Sequence, residues 1–399
     1  MRVNSIAFIY DHRYYVTDSG QVFSSGPMGS EAWERYLELV EELVVVGTLI
    51  DKPKELSVDN LNRSDLPKTK FSSFEYISNF KSFLKNLFFI NKGLEKELLK
   101  TEAVAARLPG ELPYNAIRIA KKNKIPYWIE VVGCPWDAYW NHGSIIGKII
   151  APFAYIRQKI AVRSADYVTY VTENFLQNRY PTKGKSIHAT NAIIPPIEDQ
   201  ILETKQSILS SLSKKNSIHK IGMIGSFNVR YKGHEEIIKA LSLVKNKIPP
   251  FEIRMVGPGD AQWVRDMAFK YDIADHVKIV GKLKSGSEIQ HFLDDLHLYV
   301  HPSRQEGLPR SVIEAMSRAC PVLGATTGGI PELLSEKSLH PTGNYHKLAV
   351  QINEVLNDNN SLKEESMRNF HKAQDYLYSK LNNRRKEFFK SILNQIDKK

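Results

Sequence analysis

Two carboxylates, Glu306 and Glu314, bracket seven residues in the run EGLPRSVIEAM of a chain whose net charge is +11. On one continuous helix, eight steps of about 100° would leave them roughly 80° apart, only partly on one face. The proline between them offers another arrangement. Proline is favoured at the first helical position, where its missing N–H would have had no partner. A helix starting at Pro309 makes Leu308 the N-cap, and leucine has no side-chain acceptor. The N–H groups of Arg310 and Ser311 are then open, and with the helix dipole they form an anion site. A ligand phosphate can supply the missing cap. Glu306 in the preceding loop and Glu314 inside the helix then converge on that ligand from two directions. Carboxylates repel phosphate but accept hydrogen bonds from hydroxyls. The expected ligand is therefore a diphosphate flanked by hydroxyl-bearing rings, as in a nucleotide sugar.

A second group lies upstream. The loop GSFNVRYKGHEE (Gly225–Glu236) carries Arg230 and Lys232 beside glycines, and these cations can neutralise a diphosphate. Taken singly, Glu306 also fits a solvated loop acid, Glu314 a helix-surface glutamate, and the basic loop a solvated turn. Together they need one sheet edge to bring them into register.

The pattern around them provides such an edge. From about residue 218, short apolar runs alternate with amphipathic stretches: HKIGMIG, FEIRMVG, HVKIVG, HLYVHPS and CPVLGA read as strands. HEEIIKALSLVKN, AQWVRDMAFKY, EIQHFLDDL and EGLPRSVIEAMSRA read as the helices between them. Strict alternation predicts a parallel, doubly wound α/β unit, which binds ligands at the carboxyl ends of its strands. Both candidate groups follow a strand. The first half reads as the same fold class, less regularly. Its strands are VNSIAFIY, ELVVVGTLI, EAVAARL, IPYWIEVVG and YVTYVT, with helices over SEAWERYLELVEEL and YNAIRIAKKNK. The expected domains are 1–195 and 218–375. The stretch 196–217, rich in proline, serine and charge, reads as the linker with a short exposed segment. A final helix over about 376–399 packs on the second domain or crosses back to the first.

Several of these motifs in one order carry a resemblance. G-x(6)-KG (Gly225 to Lys232-Gly233), HPSRQEG, EGLPRSVIEAM with its E-x7-E spacing, and PVLGATTGGIPEL resemble the retaining glycosyltransferases of family 4. Those enzymes have the GT-B fold, two Rossmann-like domains facing across a cleft. The matching motifs cover about Lys220–Leu334. The resemblance implies that Lys232 contacts the donor diphosphate and that Glu306, with Gly307 and Leu308, meets the transferred sugar. It implies that Glu314 holds the ribose hydroxyls and that backbone N–H groups near Leu308 to Ser311, including those of Arg310 and Ser311, meet the phosphates. It places the base near Gly281, Lys282 and Leu283. Many members carry a diphosphate-binding arginine where this chain has Ser226, and Arg230 is the candidate substitute. Retention of anomeric configuration, by same-face transfer assisted by the departing phosphate, is likewise implied by the resemblance.

In the same arrangement the first domain takes the acceptor. In the loop VFSSGPMGSEAWERYL, Gly26 and Gly29 permit close backbone approach just before a helix or form a plain glycine turn, and the resemblance places this loop beside the donor phosphates and acceptor. WIEVVGCPWDAYWNHGS offers Asp137 or His142 to orient an acceptor hydroxyl as the first-domain catalytic residue. Either also fits a structural loop residue. No D-x-D motif and no His/Cys cluster with metal-ligand spacing is present, so no metal or cofactor is expected.

The totals bound the remaining readings. The chain has 399 residues and a pI near 9.3, which points to an anionic partner. Two distant cysteines and no long apolar run suit a cytoplasmic protein without a membrane span. Two stretches, Lys70–Lys92 and Gly143–Arg163, interleave apolar and basic residues. Each reads as a core-facing helix with a basic outer face or as a helix lying on an anionic membrane. Their place in the acceptor domain favours a peripheral enzyme on the inner face of the cell membrane. Its partners would be a UDP- or GDP-sugar and a lipid-linked saccharide, as in bacterial surface polysaccharide assembly. A sugar-nucleotide epimerase or phosphorylase is the competing enzyme class. A nucleic-acid-binding protein is the non-enzyme alternative, and no recognised nucleic-acid motif supports it.

Overall fold

Short β-branched runs bounded by glycine and charge build the two sheets of the computed structural model. It describes residues 3–26, 28–54, 56–74, 92–141, 144–212 and 217–396. In the first half the strands are β1 (Val3–Val16), β2 (Val22–Ser24), β3 (Val40–Asp51), β4 (Asn62–Arg63), β5 (Thr69–Ser73), β6 (Ala103–Leu108), β7 (Tyr127–Val131), β8 (Tyr167–Tyr170) and β9 (Lys185–His188). The parallel path runs β5-β3-β1-β6-β7-β8-β9, and the antiparallel pair β2-β4 takes over beside the far end of β1. The helices around this sheet are α1 (Glu31–Leu37), α2 (92–98), α3 (Glu111–Lys122), α4 (Pro135–Trp140), α5 (Ile145–Arg163) and α6 (Phe175–Arg179).

The second half is more regular. Strands β10 (His219–Ile224), β11 (Phe251–Val256), β12 (Val277–Gly281), β13 (Leu298–His301), β14 (Val322–Ala325) and β15 (Leu339–His340) lie in the order β12-β11-β10-β13-β14-β15. Every pairing is parallel. The order reverses between β10 and β13, and that switch point is where such sheets open a crevice. The helices are α7 (Asp199–Ser211), α8 (His234–Val244), α9 (Gln262–Lys270), α10 (Ser287–Asp294), α11 (Arg310–Ser317), α12 (Ile330–Leu333), α13 (Tyr345–Leu356), α14 (Asn359–Ala373) and α15 (Tyr378–Ile396).

Two local readings change, and the last helix takes one of its two expected places. The helix expected over SEAWERYLELVEEL ends at Leu37, because Val40 to Glu42 already pair with β1. Pairing in the sheet overrides the helical period there. The stretch read as linker holds α7, whose Leu209 is buried beside Leu362 of α14. Its buried Lys205 caps the end of α10 by donating to the carbonyls of Leu293, Asp294 and Leu296 at 3.0, 2.8 and 2.7 Å. The charge was a buried cap rather than a mark of exposure. Finally, α15 returns to the first sheet, where Phe389 lies 5.1 Å from Trp128 and 5.8 Å from Tyr36 between ring centroids.

One apolar cluster runs through both domains, from Val131, Val171 and Leu176 to Leu308, Val312 and Ile330. Among the described residues no helix is long and apolar enough to cross a membrane. Of the basic amphipathic stretch Lys70–Lys92, residues 75–91 lie outside the described residues.

Candidate functional site

The two loops that matter leave β10 and β13 at the switch point, and hydrogen bonds tie them together. Arg304 N–H donates to the Tyr231 carbonyl at 2.7 Å, and the Ser303 hydroxyl lies 3.1 Å from the same oxygen. Gly233 closes the first loop with φ of +89°, and a Cβ there would lie 2.3 Å from the Pro302 carbonyl oxygen. Only glycine meets both conditions. This docking delivers Lys232 to Glu306: Nζ lies 2.6 Å from Oε1.

His301, buried at the end of β13, donates to the same carboxylate oxygen through Nε2 at 2.9 Å. A carboxylate only accepts, so Nε2 carries a proton, and Nδ1 lies 3.3 Å from the Tyr299 hydroxyl. Tyr299 in turn lies against the Ser311 hydroxyl of α11. Burial acts to raise the Glu306 carboxyl, but the Lys232 ammonium and the His301 bond overcome it and hold it down to about 2. Glu306 is therefore an anion at neutral pH. Its second oxygen has no hydrogen-bond partner among the described residues.

The helix after Glu306 starts one residue later than expected. Pro309 is the N-cap, with φ of −73° and ψ of 116°, and Arg310 is the first helical residue. Leu308 is buried in the shared core rather than standing at the cap. The extended ψ of Pro309 is the ordinary backbone conformation of an N-cap. No side chain caps the helix, so the N-terminal N–H groups of α11 remain without a local side-chain acceptor. Glu314, one turn on, is partly buried; burial pushes its carboxyl above the ordinary range and Arg310 opposes the shift.

The first domain closes on this site from the other side. A Cβ on Gly307 would lie 2.4 Å from the Val132 carbonyl oxygen, so glycine lets the Glu306 loop touch the end of β7. Gly329 N–H donates to the Gly307 carbonyl at 2.6 Å and supports the turn from below. Glu332 reaches across the interface and accepts from the N–H groups of Glu173, Asn174 and Phe175 at 2.6, 3.0 and 2.6 Å. It thereby caps α6 of the other domain.

Between the domains lies a cavity of about 570 Å³. Gly29, Ser30 and Arg35 line it from the first domain, and Gly286, Arg310 and Glu314 from the second. Gly26 is not among its lining residues: its N–H donates to the Ser24 hydroxyl at 3.0 Å and its carbonyl accepts from Asn62 at 2.9 Å. Lys282 is exposed and Leu283 half-buried against the core, while Ser285 and Gly286 of the same loop meet the cavity. Arg230 is exposed and stacks 3.8 Å from the Trp263 ring centroid, on the α9 side of its loop.

Asp137 lies in the first turn of α4 and pairs with Arg179 at 2.9 Å, and the same guanidinium donates to Cys134 Sγ at 2.8 Å. His142 lies outside the described residues. Asn141, at the end of α4, donates to the Arg304 carbonyl at 3.1 Å and links this segment to the Glu306 loop. Among the described residues no group of three or more His, Cys, Asp or Glu side chains is placed to hold a metal ion.

His301 and Glu332 escaped the sequence reading although both stand in its quoted motifs. A polar residue closing an apolar strand, as His301 does in HLYVHPS, was the available signal. Glu332 gave none, since its partners are backbone N–H groups 157–159 residues away.

Comparison with known proteins gives consistent matches. Residues 205–374 match the family model described as glycosyl transferases group 1. Protein CapJ of Staphylococcus aureus is 31% identical over 352 residues, covering 87% of this chain and 86% of that protein. The amylovoran biosynthesis glycosyltransferase AmsK of Erwinia amylovora is 32% identical over 30% of this chain and 31% of its own. Among solved structures, sucrose-phosphate synthase from Thermosynechococcus elongatus superposes with a TM-score of 0.71 at 15% identity, over 98% of this chain and 100% of that one. Anabaena HepE, solved with UDP and glucose, gives 0.66 at 16% identity, over 97% and 100%. At such identities the structural likeness shows the fold, and it spans both domains.

Proposed function

Since the chain belongs to the glycosyl transferases group 1 family and has the GT-B fold, we propose that it moves a hexosyl unit from a nucleotide sugar to a saccharide hydroxyl. The donor is a UDP- or GDP-sugar, the acceptor is lipid-linked and the anomeric configuration is retained, as in family 4. The product belongs to capsule, O-antigen or exopolysaccharide assembly. AmsK, named for amylovoran biosynthesis, supports the product class, and HepE, solved with UDP and glucose, supports the donor class.

One observation carries this reading: a cation, a buried carboxylate and an uncapped helix start meet at the switch point of a parallel sheet. The donor diphosphate completes the α11 N-terminus and gives Lys232 a second anion to pair with. Glu314 takes the ribose hydroxyls, and the open oxygen of Glu306 takes hydroxyls of the transferred sugar. As the bond from the anomeric carbon to the phosphate oxygen breaks, charge develops on the departing diphosphate. Lys232 and the α11 N–H groups are already aimed at it, so stabilising it needs little reorganisation. The acceptor oxygen bonds the anomeric carbon from the same face, and its proton passes to the departing phosphate oxygen. Asp137, held by Arg179, shapes the acceptor side.

The purified protein, given UDP- and GDP-sugars with a lipid-linked saccharide, is expected to move sugar into the lipid fraction and release nucleoside diphosphate. Glu306→Ala should lose at least about a hundredfold in turnover while still folding, at a lowered melting temperature. Release of an epimerised sugar without acceptor would overturn the transferase reading.

A further inference from the structure

We infer that α5 is a membrane-docking helix whose outward face seats on an anionic phospholipid bilayer. The lipid-linked acceptor proposed above gives this docking its purpose, but the inference itself rests on α5 and its surroundings. A helix on a water-soluble surface turns its polar side outward. This one is inverted. Ile145, Ile146, Ile149, Phe153, Ile156 and Ile160 are all more than half exposed, with Ile146 at 70% and Phe153 at 71%. At about 100° per residue these six fall within roughly 100° of arc. Gly147, Ala151, Gln158 and Val162 occupy the opposite, buried side. An apolar stripe of this size on a folded surface marks an interaction site.

Charge decides what covers it. Lys148 and Lys159 border the stripe on one edge and Arg157 on the other, Arg163 follows, and no acid occurs in the helix. Tyr139 and Trp140 of α4 are exposed beside it, with Lys148 Nζ 5.8 Å from the Trp140 ring centroid. Isoleucines inward, cations at the rim and interfacial aromatics alongside are the composition of a helix lying in the headgroup region. The helix is too polar to span a bilayer. Arg157 is paired with Glu111 at 2.5 Å, but pairing α5 with its own mate still brings Lys148, Lys159 and Arg163 against their copies, which makes a second copy the poorer occupant. An anionic leaflet meets both the apolar face and the charge.

The placement also suits the chemistry. Asn141, between α4 and α5, bonds the carbonyl of Arg304, two residues before Glu306. A cavity of about 300 Å³, with Asp11, Glu111, Tyr114, Tyr139 and Arg157 in its wall, opens at the Arg157 edge of the stripe. Docking through α5 sets that cavity at the lipid surface, where a membrane-borne acceptor enters.

Flotation of the full-length protein with vesicles tests this. Vesicles of phosphatidylcholine with one quarter phosphatidylglycerol should carry the protein up, and pure phosphatidylcholine should carry at least about tenfold less. The variant I146D/F153D should float at least about tenfold less with the anionic vesicles, and K148E/K159E should lose most of its preference for them. Both positions of the first variant are exposed, so its melting temperature and its stabilisation by UDP or GDP should match the parent's. Failure of the parent to float, or equal flotation of parent and I146D/F153D, overturns the inference. So does light scattering that shows a dimer in the parent and a monomer in I146D/F153D without flotation. None of these readouts depends on transfer activity, so failure of docking and failure of the transferase reading are separable.

Discussion

At Glu306 burial and pairing pull in opposite directions, and pairing wins. The carboxyl sits at about 2 because Lys232 and His301 both bond one of its oxygens. Its folded value lies below its ordinary one, so the ionised form contributes stability that is present in full above about pH 4.5. That contribution falls as the pH drops toward about 2. In urea unfolding, Glu306→Gln should therefore be less stable than the parent at pH 7, and the gap should narrow at pH 3. A gap independent of pH would mean that the charge does not stabilise the fold. At this scale the sequence showed which residue types could act but not how they were held. Lys232 and Glu306 stand 74 positions apart, and their contact exists only because two loops are tied through Tyr231. His301 was hidden because a histidine at the end of an apolar strand reads equally well as core.

Elements were legible where the sheet was purely parallel and obscure where contacts crossed between domains. The second half switches cleanly between apolar runs and helical periods, and five of its six strands follow that reading, the two-residue β15 being too short to show a period. In the first half, Val40 to Glu42 continue a helical pattern yet pair with β1, since sheet hydrogen bonds outweigh a propensity of a few tenths of a kcal/mol. The segment holding α7 read as linker because its lysine and serines looked solvated. The Pro309 helix start moved by one residue, and the uncapped N-terminus survived the move. The Glu332 clamp on α6 was beyond reach of any local signal. Replacing a capping carboxylate typically costs about 1–2 kcal/mol. Glu332→Ala should lower stability by that amount in chemical denaturation, with Glu332→Gln losing less. An unchanged midpoint for Glu332→Ala would show that the two domains do not lean on this contact.

Over the whole molecule, the chain crosses back on itself. It runs through the first domain and then the second, and α15 returns to finish the core of the first. Phe389 is 2% exposed and packs on Trp128 and Tyr36, behind the sheet whose loops face the cleft. Truncating such a buried aromatic costs about 3–5 kcal/mol. Phe389→Ala should therefore destabilise the first domain by about that much, seen as an earlier unfolding phase in tryptophan fluorescence. Coincident unfolding with an unshifted midpoint would contradict that packing. The same return holds Arg385 against the cleft, where it lines the cavity with Arg35 and Arg310. The cleft thus carries Arg35, Arg63, Arg310 and Arg385 beside Glu31 and Glu314, and α5 carries basic residues and no acid.

Calorimetric titration of UDP and GDP into the parent and Lys232→Ala decides whether a nucleoside diphosphate binds between Lys232 and the start of α11. The site described here predicts that one of the two nucleotides binds the parent and that Lys232→Ala weakens it by about tenfold or more, as loss of a charge-assisted contact to phosphate requires. Equal affinity for the folded variant and the parent would mean that the diphosphate does not lie between Lys232 and the α11 N-terminus.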